Sequence, residues 1–101
     1  MKVIPEPLTF EWDKGNKDKN LLKHLVTNQE AEEVFTNNPF ILAEDERHSH
    51  LEKRFQALGQ TNVHRTLFLS FAVRRDKVRI ISIRDMNRKE RVIYAKAKKT
   101  S

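Results

Sequence analysis

Two apolar runs separated by four polar residues constrain the fold of this 101-residue chain more than any other feature. Residues 63–73 read VHRTLFLSFAV, which puts Val63, Leu67, Leu69, Phe71 and Val73 on one face of a pleated strand and His64, Thr66, Phe68, Ser70 and Ala72 on the other. Residues 78–83, VRIISI, are apolar on both faces. The intervening RRDK leaves room only for a tight turn, so the two runs pair antiparallel as a hairpin. A lone hairpin is marginal in water, and the rest of the chain must cover it. The doubly apolar second run is expected to lie centrally, beneath the helices.

The remaining segments supply that cover. Residues 8–12 alternate apolar and polar after Pro7 and read as a short edge strand. Asp13 is a candidate N-cap for a helix over 14–25, with Leu21, Leu22 and Leu25 at helical spacing. Thr27 and Glu30 form a T-x-x-E capping box that opens a second helix through Ala31, Val34 and Phe35, which Asn38 and Pro39 end. Beyond Pro39 the period changes to two. Residues 40–44 form a weak strand, 46–53 a polar connection, and 54–58 a strand stopped by Gly59. Asn87 and Glu90 open a last helix, with Val92, Ile93 and Ala97 as its apolar stripe. The expected architecture is α+β: two N-terminal helices, an antiparallel sheet of about four strands and a C-terminal helix, in one domain over 1–101.

Composition removes several classes of function. With no cysteine there is neither a disulfide framework nor a thiolate nucleophile. Gly15 and Gly59 are the only glycines, so no phosphate-cradling loop exists and no nucleotide cofactor is expected. His48 and His50 share one face of an extended segment, but no pattern of Cys, His or carboxylate completes a tetrahedral set. They read as loop histidines, and no metal is expected. Nor does any Ser, His and Asp spacing suggest an acyl-transfer triad. No apolar run reaches the roughly 18 residues of a membrane span, and residues 1–13 lack the core of a signal peptide; the expectation is a cytoplasmic protein with no membrane contact.

The charge is uneven. Residues 74–99 hold eleven basic side chains against three acidic ones, a balance of +8 in a chain whose total is +6, so the remainder sums to −2. Such asymmetry suits a polyanion, or an acidic protein that masks the same surface, as well as a solvated basic helix face. Arg54, Arg79 and Arg84 lie in or beside apolar strand segments, where a guanidinium is costly unless it is partnered. Two readings stand side by side. In one, strand-edge ion pairs form with Glu44, Glu46 or Glu52. In the other, a cleft of planar cations grips a phosphodiester and neutralises charge developing on it. Arg79 and Arg84 are five residues apart and face opposite ways in a regular strand, so a shared site places Arg84 past the strand end.

The segments FEWD (10–13), NLLKH (20–24), EAEEVF (30–35), EKRFQALG (52–59) and RIISIRDMNRKERVIY (79–94) together resemble, in order and spacing, the BrnT family of type II toxins. The resemblance implies a RelE-like ribonuclease toxin acting on RNA and held inactive by a cognate, BrnA-like antitoxin, in a toxin–antitoxin complex of higher order. Position by position, Glu52 and Arg54 match the family's E-x-R-F, Arg79 and Arg84 its strand arginines, and Asn20, Lys23 and His24 its first-helix motif. Glu90 and Tyr94 match its C-terminal E-x-x-x-Y. Where the family reads K-H-G-V this chain has KHLV, so Leu25 stands where a left-handed glycine would end the helix. IRDMN replaces an alanine-rich continuation, and Asp85 becomes a candidate partner for Arg84.

RNA carries its own nucleophile, the 2′-OH, so the protein has to align it, accept a proton and stabilise charge. The expected catalytic set is Arg54, Arg79 and Arg84 for charge, Glu52 as base, and His24 or His64 as acid. Lys23, His24, Arg88, Arg91 and Tyr94 are the expected RNA contacts, with Lys96, Lys98 and Lys99 adding to the hold on the phosphate backbone. Trp12 reads as a core plug in preference to a base-stacking platform. The alternatives are a non-catalytic basic module that holds nucleic acid or an antitoxin, and a structural subunit. Helix-turn-helix DNA binding is least supported, because the first helix pair is near neutral.

Overall fold

The computed structural model describes residues 3–50 and 52–100; Leu51, in the expected polar connection, lies outside them. The elements are α1 (Lys19–His24), α2 (Asn28–Val34), β1 (Ile41–Glu44), a 3-10 turn (Glu46–His48), β2 (Arg54–Gln60), β3 (Thr66–Arg74), β4 (Lys77–Asp85) and α3 (Arg88–Thr100). All strand pairs are antiparallel and the sheet order is β1-β2-β3-β4. This is the α+β architecture expected from the sequence.

One face of the sheet carries the core. Its cross-strand rows, Phe55-Phe71-Ile80 and Ala57-Leu69-Ile83, are buried together with Val26, Ala31 and Val34 of the helical layer. The capping box at α2 forms as expected, with the Thr27 amide donating to Glu30 Oε1 (2.9 Å) and the Glu30 amide to Thr27 Oγ1 (3.0 Å). Trp12 packs on this core and donates its indole N–H to Glu32 (2.7 Å). Gly59 does not stop its strand: β2 runs through it to Gln60. A Cβ at Gly59 would meet Val34 Cγ1 at 2.5 Å, so the glycine marks where α2 lies directly on the sheet.

Three other expectations are corrected. β4 is not central but ends the sheet, and residues 8–12 do not form a full strand beside it. Only Phe10 bridges to Val78, in parallel, with the Glu11 amide donating to the Val78 carbonyl and the Val78 amide to the Thr9 carbonyl (2.8 Å each). The rest of that edge is closed by two buried asparagines. Asn16 Nδ2 donates to the Ile80 carbonyl (3.1 Å), and Asn20 Oδ1 accepts the Ile83 amide (3.1 Å). That anchoring explains the second correction: α1 begins at Lys19 and not at 14, because residues 14–18 turn to bring Asn16 against the strand. Leu25 ends α1 at φ 56°, ψ 39°, the left-handed conformation that the glycine-suited position demands.

The third correction concerns α3. Its Asn87–Glu90 capping box forms, with the Asn87 amide donating to Glu90 (2.9 Å) and the Glu90 amide to Asn87 (2.8 Å). The expected stripe does not: Val92 and Ile93 are 52% and 46% exposed. Tyr94 anchors the helix, buried with Leu58 and Met86 and donating its hydroxyl to the Pro39 carbonyl (2.6 Å). A polar hydroxyl is buried without loss when it finds such a partner.

Candidate functional site

The sheet face opposite the core carries three cross-strand rows: Arg54-Ala72-Arg79, Gln56-Ser70-Ser82 and Leu58-Phe68-Arg84. Arg79 and Arg84 therefore share a face although they are five residues apart and both lie within β4. A bulge is the cause. Phe71 pairs with Ile80 and Ser70 with Ser82, which leaves Ile81 as the extra residue that reverses the alternation. Sharing a face does not make them one site. Their partners Ala72 and Phe68 are four residues apart, about 13 Å along the strand.

Arg54 and Arg79 do converge. Only Ala72 stands between them, and two strand spacings put them about 10 Å apart at the backbone. Their side chains line one cleft with Glu52, Arg74, Lys19 and Gly15. Arg79 is held by a bidentate contact with Asp13 (2.6 and 3.1 Å) and by Glu11 (3.2 Å), and the Asp13 contact raises its pKa. A Cβ on Gly15 would lie 2.9 Å from Arg79 Nη2, so the glycine lets the turn come close. Glu52 takes Arg74 on both oxygens (2.7 and 3.3 Å) and meets Arg54 more loosely (3.5 Å). The Arg74 hydrogen bond holds the Glu52 carboxyl below its ordinary range. Arg54 Nε is buried with no hydrogen-bond partner.

Each strand arginine thus has a carboxylate, as the ion-pair reading expected, but with different partners for two of them. Arg84 binds Glu90 through both Nη atoms (2.8 and 3.0 Å) and lies 4.2 Å over the Phe68 ring. The Asp85 carboxylate does not tie it up, although Arg84 Nη1 also donates to the Asp85 backbone carbonyl (3.1 Å). That carboxylate accepts from Arg65 (2.8 and 3.1 Å), which also donates to the carbonyls of His24 and Leu25 at the end of α1.

The other expected contacts lie elsewhere. Lys23 and His24 end α1, and Arg88 and Arg91 open α3, at the Asp85 end of β4, whereas Arg54 and Arg79 lie at its opposite end. His64 sits in the β2–β3 turn, also at the far end. Tyr94, also among the expected contacts, is buried and donates its hydroxyl to the Pro39 carbonyl (2.6 Å). Sequence reasoning passed over Lys19, Arg74 and Gly15 as site residues, and read as mere loop residues the pair that lines a second, adjoining cavity of about 320 Å³ with Glu52, Arg54 and Arg74: His48 and His50. The one available signal was the H-x-H spacing two residues before Glu52.

Among the described residues no helix is long and apolar enough to cross a membrane. No curated protein matches the chain. A family model described as ribonuclease toxin, BrnT, of type II toxin-antitoxin system matches residues 12–90, from Trp12 through the Glu90 that clasps Arg84. With an interval that takes in α1, α2, the whole sheet and the start of α3, the chain belongs to the BrnT family of ribonuclease toxins, which implies an RNA substrate and an antitoxin partner.

Proposed function

We propose that the chain acts as a single RelE-like toxin domain that cleaves RNA in the cleft between Arg54 and Arg79. The observation that carries this reading is the state of Arg54. Its Nε is buried and unpaired, and its one carboxylate contact is long, in a cleft that also holds Lys19, Arg74 and Arg79. A buried cationic donor without a partner is costly, and a phosphate oxygen is the acceptor such a group fits. The 2′-OH attacks the adjacent phosphorus while Arg54 and Arg79 stabilise the added negative charge. Glu52, acidified by Arg74, serves here to hold Arg54 and Arg74 and not to take the proton. Arg84, clasped by Glu90 and stacked on Phe68, fastens α3 to β4.

The cleft works in the cytoplasm, where a BrnA-like antitoxin covers the cationic face in a higher-order complex. The exposed Leu22 and Leu25 on and after α1, and Val92 and Ile93 on α3, support such cover. The test is cleavage of a defined single-stranded RNA, with and without ribosomes. Arg54→Ala and Arg79→Ala, folded by circular dichroism, are expected to lose at least about 100-fold in rate. Arg84→Ala is expected to lose stability and keep its rate where folded. Folded Arg54→Ala and Arg79→Ala cleaving at the parental rate would sink the proposal. The carboxylates on Arg79 favour one second reading, a binding module without chemistry, which salt-dependent binding of RNA that stays intact would identify.

A further inference from the structure

We infer that His48 and His50 are the general base and the general acid of the cleavage, an assignment that rests on the ribonuclease reading above. The Arg54 cleft is short of a proton acceptor. It has cations for the phosphate, but its carboxylates are already bound to arginine: Glu52 by Arg74 and Arg54, Asp13 by Arg79. A carboxylate in that condition is a weak proton acceptor near neutral pH. Imidazole is the side chain whose ordinary titration falls there.

Two imidazoles line the adjoining cavity, and the residues common to both spaces are Glu52, Arg54 and Arg74. A phosphate held on Arg54 therefore lies on the border of the histidine-lined space. The chain is folded to put the histidines there: the 3-10 turn at Glu46–His48 and a return through Ser49, whose hydroxyl accepts the Arg54 amide (3.0 Å), bring 48–50 back onto the start of β2. Among the described residues no group of three or more His, Cys, Asp or Glu side chains is placed to hold a metal ion.

The roles follow from the hydrogen bonds. His48 Nδ1 lies 2.9 Å from Asp45 Oδ2, which also accepts from Gln56 (3.4 Å). With the Nδ1 proton given to Asp45, the lone pair of neutral His48 is on Nε2. That nitrogen takes the proton of the 2′-OH as O2′ bonds to phosphorus. The P–O5′ bond breaks, and His50, entering as imidazolium, gives its proton to O5′. The products are a 2′,3′-cyclic phosphate and a 5′-hydroxyl; His48 leaves protonated, His50 neutral, and exchange with water restores both.

The experiment compares the parent, His48→Ala and His50→Ala on a defined RNA and on the same RNA with sulfur in place of the bridging O5′, across pH. Both histidines are exposed, so the variants fold, which thermal unfolding checks. The groups facing the pair, Asp45, Glu52, Arg54 and Arg74, stay in place throughout. On ordinary RNA each variant is expected to lose about 100-fold or more. The parent's bell-shaped profile should lose its acidic limb in His48→Ala and its alkaline limb in His50→Ala. The thiolate leaving group needs no acid, so sulfur should restore His50→Ala and leave His48→Ala slow. Rescue of His48→Ala instead overturns the assignment of roles. A parent that cleaves, loses activity in Arg54→Ala, and is unchanged within about twofold in both histidine variants overturns this inference while the cleft reading stands. A parent that cleaves neither RNA, ribosomes included, overturns both.

Discussion

At the scale of single residues, two backbone positions make opposite demands. Leu25 occupies a left-handed conformation (φ 56°) in which a Cβ crowds the following carbonyl, a strain of about 1–2 kcal/mol that only glycine escapes. It is 75% exposed, so its side chain has little packing to lose. Leu25→Gly should raise unfolding free energy by about 0.5–1 kcal/mol after the greater freedom of glycine in the unfolded chain is subtracted. At Gly59 the conformation is ordinary and space is the issue. Gly59→Ala drives a methyl into Val34 and should lower stability by about 1–3 kcal/mol. Urea unfolding of both variants checks the pair, and a loss in Leu25→Gly or neutrality in Gly59→Ala would refute the respective account. Leu25 was legible in the sequence because a helix end is local. Gly59 was misread as a strand stop because its reason, a helix lying across the strand, comes from residues 25 positions earlier.

At the scale of elements, the same distinction between local and distant causes recurs. Capping boxes at α2 and α3 and the β3–β4 hairpin were legible, since each is decided within a few residues. The place of β4 was not. Its doubly apolar pattern suits a central strand, yet it ends the sheet, because the N-terminal segment and α1 treat its outer edge as a covered one. Asparagine side chains do there what a fifth strand would have done, accepting the Ile83 amide and donating to the Ile80 carbonyl. Asn20→Ala leaves a buried amide without an acceptor and should cost about 1–3 kcal/mol. Amide exchange supplies the check: Ile83 should exchange faster in the variant than in the parent by more than the global loss of stability explains. Exchange that tracks only the global loss would mean that the edge is closed by something other than Asn20. The bulge at Ile81 was equally hidden, and with it the fact that Arg79 and Arg84 share a face.

At the scale of the whole molecule, the sequence placed its positive charge on one stretch of chain and the fold divides that stretch between two ends of the sheet. Arg74 and Arg79 join Arg54 and Lys19 at the start of β4, while Arg88 and Arg91 stand at its finish, beside Lys23 and His24 of α1. The candidate site was legible as a set of residue types, but its membership depended on register: Arg54 faces Arg79 only because β2, β3 and β4 align them on Ala72. The far cations then have two possible uses, to extend the track of the RNA or to receive the antitoxin, and salt separates them. Each phosphate contact to a single strand contributes about 0.7 to the slope of log affinity against log salt. A 2′-O-methyl RNA, which lacks the nucleophile, measures binding without cleavage. If the strand runs from the Arg54 cleft to α3, the double variant Arg88→Ala, Arg91→Ala should lower that slope by about 1.4 and weaken binding at low salt, while cleavage of saturating RNA keeps its rate. A slope equal to that of the parent would confine the RNA to the Arg54 end and leave the basic face of α3 to an acidic protein partner, since a cationic helix face with two half-exposed apolar residues, Val92 and Ile93, is suited to a chain that brings both carboxylates and apolar anchors.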